Sequence, residues 1–268
     1  MKRLIPLRLN LRRFVSRRTL LTGAGLAAGG LVASNWRTLL DSESYGGILR
    51  AGDSFNMFAQ RLALHNRPLA KVYRPDQISA YHPSNGGIGA AWIDAENPVY
   101  DRLVVGKFQD WRLDVKGLVE RPLRLSLPQL RSLPSQSQIT MHSCDFGWSA
   151  IAEWTGVQLS QILSLTGVRP EARYVVFRCL DTIGGKHVWG SLDLLDAVHP
   201  QTILAYAMNG APLPVGHGAP LRLRIELQIG YKNLKHLSSI ELVDSLDKIG
   251  AGRGGIFEES GYAWYAGL

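Results

Sequence analysis

The chain has 268 residues, of which 46% are hydrophobic, 9% aromatic and 19% charged. That is the profile of a globular protein with one large domain or one domain plus extensions, and it excludes disorder of the bulk. The formal net charge of +8 suggests a nucleic-acid partner, but Lys2, Arg3, Arg8, Arg12, Arg13, Arg17 and Arg18 all lie within residues 1–34, where there is no acid, so the remainder carries only +1. A near-neutral body argues against nucleic acid.

The first segment has an order of its own. A basic region ends in Ser16-Arg17-Arg18-Thr19-Leu20-Leu21, and an uncharged stretch of 18 residues follows from Thr19 to Trp36, diluted by Gly23, Gly25, Gly29 and Gly30. This is the layout of an export signal. Adjacent arginines before two leucines, with weak hydrophobicity, fit the twin-arginine type. The expectation is a signal over residues 1–35, with Val32-Ala33-Ser34 as a small-residue processing region, and a periplasmic protein. A membrane anchor would want about 20 predominantly apolar residues, and the glycines make it the poorer reading. Export in the folded state is the usual route for a chain that acquires a cofactor in the cytoplasm, so the signal points to a bound cofactor.

Residues 36–105 read as an irregular N-terminal segment that wraps another part of the protein. Asn66-Arg67-Pro68, the run His82 to Gly87 and Asn97-Pro98 act as turns, and Phe55 to Leu64 is a helical candidate. From Phe108 the pattern tightens. Trp111, Leu113 and Val115 alternate with polar neighbours, Leu123 and Leu125 repeat this, and Arg173 to Leu180 contains Val175 and Val176, so three strands are expected. Gln138 to Cys144 is a fourth. Leu159, Ile162 and Leu163 share a helical face within Val157 to Leu165, and Ser191 is placed to cap a short helix through Val198. Asn209-Gly210 predicts a hairpin between Thr202–Met208 and a strand Leu221–Leu227. Strands with interspersed helices and no regular βα alternation predict an α+β fold with one main domain over residues 106–250, followed by a tail, 251–268.

Most familiar chemistries lack their signatures. Gly184-Gly185 and the glycines from Gly250 to Gly255 have neither P-loop nor dinucleotide-binding spacing. A nucleophile elbow of the Gly-x-Ser-x-Gly kind is also absent. The two cysteines, Cys144 and Cys179, stand 35 positions apart, so a disulfide stays open in an oxidising compartment, whereas a structural zinc site is not expected. Cys144 ends a strand where the chain turns toward Gly147-Trp148-Ser149. Its thiolate could ligate a soft metal whose other ligands come from a cofactor, but considered alone a single cysteine beside aromatic residues reads more readily as a small buried hydrophobe. His217, Arg222, Lys232 and Lys235 supply the donors that a phosphate-bearing ligand needs. Arg222, Arg224 and Glu226 also read as the solvated side of a strand.

Together these segments resemble a family. Cys144 with Gly147-Trp148-Ser149, Trp154-Thr155-Gly156-Val157, Leu204 to Pro214, His217-Gly218-x-Pro220-Leu221-Arg222 and Gly230-Tyr231-Lys232-x-x-Lys235 are similar, in order, to the sulfite oxidase family of molybdopterin enzymes. The likeness spans roughly Asp110 to Asp244, and the layout is closest to the exported catalytic subunit of the periplasmic methionine sulfoxide reductase. The resemblance implies a mixed-sheet molybdopterin-binding fold, a molybdenum-molybdopterin cofactor with Cys144 as its protein ligand, and oxygen-atom transfer to or from a small-molecule substrate. It also implies cofactor contacts from Cys179 or Asp181, His217, Arg222, Gly230, Tyr231, Lys232 and Lys235. It places Trp189 where sulfite oxidases use a tyrosine, and Asp145-Phe146 where they hold their anion, which puts sulfite in doubt. Lacking a haem motif and the family's C-terminal dimer domain, the chain is expected to be a monomer served by a membrane cytochrome b or another electron-transfer partner. A non-catalytic pterin-binding or interaction module on the same fold is the alternative.

Overall fold

A computed structural model describes residues 69–84, 94 and 96–268. The expected signal and the helical candidate Phe55–Leu64 lie outside the described residues. In chain order the elements are α1 (Pro98–Val105), β1 (Arg112–Gly117), β2 (Leu123–Ser126), α2 (Leu127–Arg131), β3 (Gln136–Ser143), β4 (Ser149–Gln158), α3 (Leu159–Thr166), β5 (Tyr174–Ile183), β6 (Lys186–Asp193), α4 (Leu194–Ala197), β7 (Ile203–Met208), β8 (Ala211–Pro212), β9 (Arg222–Arg224), β10 (Leu237–Val243) and α5 (Ile256–Glu259). Short 3₁₀ turns at Val215–His217 and Gly230–Lys232 flank β9.

Two sheets carry the fold, one in the order β2-β1-β10-β5-β6 and the other β3-β4-β7-β8 with β9 on β7. The first is mixed, because β1 runs parallel to β10 while every other pairing in it is antiparallel. Leu113 and Val115 alternate inward from β1, and Val175, Phe177, Ile240 and Leu242 join them from the neighbouring strands. Leu159, Ile162 and Leu163 of α3 complete that core, the helical face that the sequence predicts. A second cluster, with Trp154, Ile203 and Met208, lies among β4, β7 and the segment after β8. The arrangement is the expected α+β fold with a mixed sheet and one main domain.

Element boundaries depart from the sequence reading where tertiary pairing overrides local pattern. Val157 and Gln158 pair with Leu204 and Ile203 at the end of β4, so α3 starts at Leu159. The β5–β6 ladder continues to Tyr174↔Asp193, so Asp193, not Ser191, caps α4, accepting from the Asp196 amide. Within the segment expected to be irregular, Asn97 caps α1 and Pro98 fills its first turn. Asn209 and Gly210 adopt φ of 51° and 74°, the left-handed pair of a tight hairpin turn, but the turn leads into β8. The expected strand Leu221–Leu227 is reduced to β9, which pairs with Ile203–Ala205, the end of β7 away from β8. Earlier in the chain, Tyr73 and Ser79 donate their amides to the carbonyls of Ile139 and Ile151, so this stretch runs along β3 and β4.

Candidate cofactor-binding and active site

Cys144 follows directly on β3. A tight turn brings the chain into β4: the Cys144 amide donates to the Trp148 carbonyl at 2.8 Å, the Gly147 amide donates to the Cys144 carbonyl at 3.1 Å, and Gly147 takes a φ of 85°. The thiol is half-buried and lies 3.6 Å from the Asp145 carboxylate. Burial pushes the thiol up, the Asp145 charge adds to this, and a backbone hydrogen bond from Phe146 opposes it. The Gly230 turn packs against this corner. A Cβ on Gly230 would stand 3.1 Å from Cys144 Cα and 3.2 Å from His142 Nε2, tight contacts that would press this corner apart, so glycine suits the close approach. Cys179 sits in the core on β5, and both thiols are free.

Beside Cys144 five rings form a nest. The His82 ring lies 5.6 Å from His142, 5.5 Å from Trp148, 5.6 Å from Trp154 and 5.1 Å from His217. Arg222 and Arg224 both stack on Trp154, each 4.6 Å from the ring centroid. Arg224 is neutralised by Glu226 and donates to His142 Nδ1 at 2.7 Å, which leaves the proton of that imidazole on Nε2. Among the described residues Arg222 has no carboxylate ion pair: it donates to the carbonyls of His217 at 2.9 Å and Asn233 at 3.2 Å. Lys235 donates to the Gly216 carbonyl at 2.7 Å, and Gly218, with φ of 108°, lets the Lys235 and Arg222 side chains pass close by.

Burial and these cations depress the neighbouring bases. Burial, then Arg222, pulls His217 down to about 4, and burial brings His82 to about 4 and the Lys235 ammonium to about 7. Asp181 is pushed up to about 7 by burial. Several buried polar atoms here make no hydrogen bond: His82 Nε2, Trp148 Nε1, His217 Nδ1, Arg222 Nε and Asp181 Oδ1. Buried polar atoms left without partners are costly unless a ligand satisfies them. They fit a polar, anionic heterocycle such as a pterin phosphate. Among the described residues no group of three His, Cys, Asp or Glu side chains is arranged to hold a metal ion.

Lys232 and Trp189 lie together, on the side of the Gly230 turn that faces the C-terminal segment. Lys232 does not face this cradle as a free cation: its ammonium is buried against the Glu258 carboxylate at 2.6 Å and lies 5.5 Å from the Trp264 ring centroid. Trp189 lines the same small cavity as Lys232, Leu234, Phe257 and Glu258. Tyr231 donates its hydroxyl to the Ala263 carbonyl, which ties the Gly230 turn to the tail. The sequence reading missed His82, His142 and Arg224 as site residues. His82 looked like part of a turn and Arg224 like a solvated strand face, so neither carried a local signal, whereas Trp148 stood inside the motif around Cys144.

The family model for the oxidoreductase molybdopterin binding domain matches residues 101–248. The candidate protein-methionine-sulfoxide reductase subunit YedZ1 of Azospira oryzae is 33% identical over 242 residues, covering 90% of this chain and 84% of its own length. The protein-methionine-sulfoxide reductase catalytic subunit MsrP of Xanthomonas axonopodis pv. citri is 34% identical over 52% of this chain, and the match spans 47% of that relative. Among solved structures, the sulfane dehydrogenase SoxCD of Paracoccus pantotrophus aligns at 24% identity over 51% of this chain and 39% of its own, with a TM-score of 0.46. With its motifs in order and its thiol at the lip of a cradle suited to a pterin phosphate, the chain belongs to the oxidoreductase molybdopterin-binding domain family, the sulfite oxidase family of molybdopterin enzymes.

Proposed function

We propose that this oxidoreductase is an exported, molybdenum-dependent reductase of S-oxides. The balanced reaction takes a sulfoxide, two electrons and two protons to a thioether and water, with the electrons delivered one at a time by a membrane cytochrome b or a similar redox partner. The observation that carries the reading is the single half-buried thiol of Cys144 beside a cationic cradle whose buried donors lack partners. The names of the relatives, which specify methionine sulfoxide, favour the reductive direction. The arginine pair and the weakly apolar stretch at the N-terminus support a periplasmic location.

In this reading Cys144 is the protein ligand to molybdenum. Arg222, His217 and Lys235 hold the pterin and its phosphate, with Asp181 or Cys179 at the strand end beneath. When bound, the cofactor supplies the oxygen-atom transfer and the change of oxidation state. The protein fixes the ligand, and its ring nest excludes water from one side of the site. The Gly230 backbone sets how closely the phosphate-binding turn approaches Cys144.

Protein purified from a cofactor-competent host should contain equimolar molybdenum and should oxidise reduced viologen when given a sulfoxide. Replacing Cys144→Ser should abolish turnover and the molybdenum–thiolate absorption while leaving the unfolding midpoint near the parent's. A variant that keeps both the spectrum and the turnover sinks the ligand assignment. Absence of molybdenum and pterin from the parent favours a non-catalytic module instead.

A further inference from the structure

We propose that Asp145, held in place by Tyr262 of the C-terminal segment, is a specificity-determining residue that turns anionic oxyanions away from Cys144 and admits neutral S-oxides. The inference rests on the reading of Cys144 as the molybdenum ligand. The Asp145 carboxylate lies 3.6 Å from the Cys144 sulfur and is exposed at the mouth of the site, so a substrate coming to that sulfur from solvent passes it. Among the described residues no lysine or arginine pairs with it; its partners are the Cys144 thiol and the Tyr262 hydroxyl.

Among the described residues none of the nearby cations is ion-paired with Asp145. Arg224 belongs to Glu226 and Lys232 to Glu258, while Arg222 and Lys235 donate to backbone carbonyls on the cradle side. An approaching oxyanion therefore meets, at the exposed side of Cys144, a like charge that is not ion-paired among the described residues, before it reaches the buried Lys235 ammonium whose charge also acts on Cys144. A neutral sulfoxide meets only a dipole. Next to the carboxylate, Phe146 is 58% exposed and Tyr262 40% exposed, and such aromatic surface suits the carbon and sulfur of a thioether.

Tyr262 owes its position to a tail that is well tied down. Its ring meets Tyr231 edge-on at 4.9 Å and Phe257 at 5.9 Å. Trp264 Nε1 donates to the Ser191 hydroxyl at 2.8 Å, and the Ile229 amide donates to the Ala266 carbonyl at 2.9 Å. The tail is thus bound to the same stretch that presents Gly230 to Cys144, and the loop after β3 and the C-terminal segment meet at Asp145.

The test compares a neutral and an anionic aryl sulfoxide, methyl phenyl sulfoxide and its para-carboxylate 4-(methylsulfinyl)benzoate, with reduced viologen as donor. The parent should prefer the neutral compound in kcat/KM by on the order of tenfold, and more salt should narrow the gap. Asp145→Asn should close the gap through a lower KM for the benzoate, and Tyr262→Phe should close part of it. As a readout apart from turnover, calorimetric titration of the molybdenum-loaded protein with inorganic sulfate should show tighter binding in Asp145→Asn than in the parent. An unchanged ratio of the two sulfoxides together with unchanged sulfate affinity overturns the proposal. If the parent reduces neither sulfoxide, the reductase reading fails, and the sulfate titration still decides the role of Asp145. Should Asp145→Asn fold poorly, Asp145→Ser carries the same comparison.

Discussion

Trp154 is fully buried, and both Arg222 and Arg224 lie against its ring, yet the two guanidiniums have different fates. Arg224 is held by both oxygens of Glu226, whose Oε1 also accepts from Gln138 Nε2 at 2.8 Å. Among the described residues Arg222 hydrogen-bonds only to carbonyls and leaves its Nε unsatisfied, so it keeps charge available for an anion. Glu226→Gln would leave Arg224 buried without its counter-charge, at a cost of about 3–5 kcal/mol. Urea unfolding of the cofactor-free protein checks this, and a loss below about 1 kcal/mol, the scale of an exposed pair, would mean that the carboxylate is not what holds Arg224. The period-two pattern made these residues one side of a strand, but not a solvated one. That distinction was invisible locally, because β9 is covered by β7 on one side and by Leu234, whose carbonyl accepts from the Leu223 amide, on the other.

The pairing of β4 with β7 sets the spacing of the second sheet. The register shifts between Thr155 and Gly156, and a Cβ at Gly156 would overlap the Leu204 carbonyl and come within 2.7 Å of Ala205 Cα. Backbone atoms cannot move aside as a flexible side chain would. Gly156→Ala should therefore cost about 1–3 kcal/mol, typical of overpacking. Thermal unfolding measures it, and an unchanged midpoint would show that β4 and β7 can separate freely. The glycine stood in the motif Trp154-Thr155-Gly156-Val157, so its presence was legible; its purpose required the partner strand. The same holds for α3 and α4, whose apolar or capping residues were in view while their start points were fixed by ladders to distant strands.

Across the whole molecule the site stores unfavourable burial that shows itself as pH dependence. Burial holds His236 down to about 3 from an ordinary 6.5, although its Nδ1 meets the Ala219 carbonyl at 3.0 Å. Between those values the unfolded chain binds the extra proton, so His236 favours the native state above pH 6.5 and that contribution is lost as pH falls toward 3. Asp181 has the opposite sign. Its pKa is raised from 3.8 to about 7, so its contribution is full below 3.8 and is lost as pH rises through 7. In the cofactor-free protein, His236→Asn should flatten the acid-side fall in thermal midpoint, since asparagine tolerates the left-handed φ of 52° at this position. Asp181→Asn should raise the midpoint relative to the parent progressively from pH 4 to 8. Parallel pH profiles for parent and variants would mean that these groups do not titrate between the two states.

The sequence by itself determined the strands of β1, β2, β3 and β5, the apolar face of α3, the hairpin at Asn209-Gly210 and, through ordered motifs, the family and its cysteine. Those features rest on local periodicity, turn stereochemistry and residue identity, all written within a few positions of one another. Only the tertiary structure decided that His82 and His142 join the cradle, that Lys232 belongs to Glu258, and that Tyr262 reaches Asp145. Which charge is neutralised and which is left for a ligand depends on partners that the chain brings together from 26 positions away for Lys232 and 82 for Arg224 and His142, and no local pattern encodes such pairings.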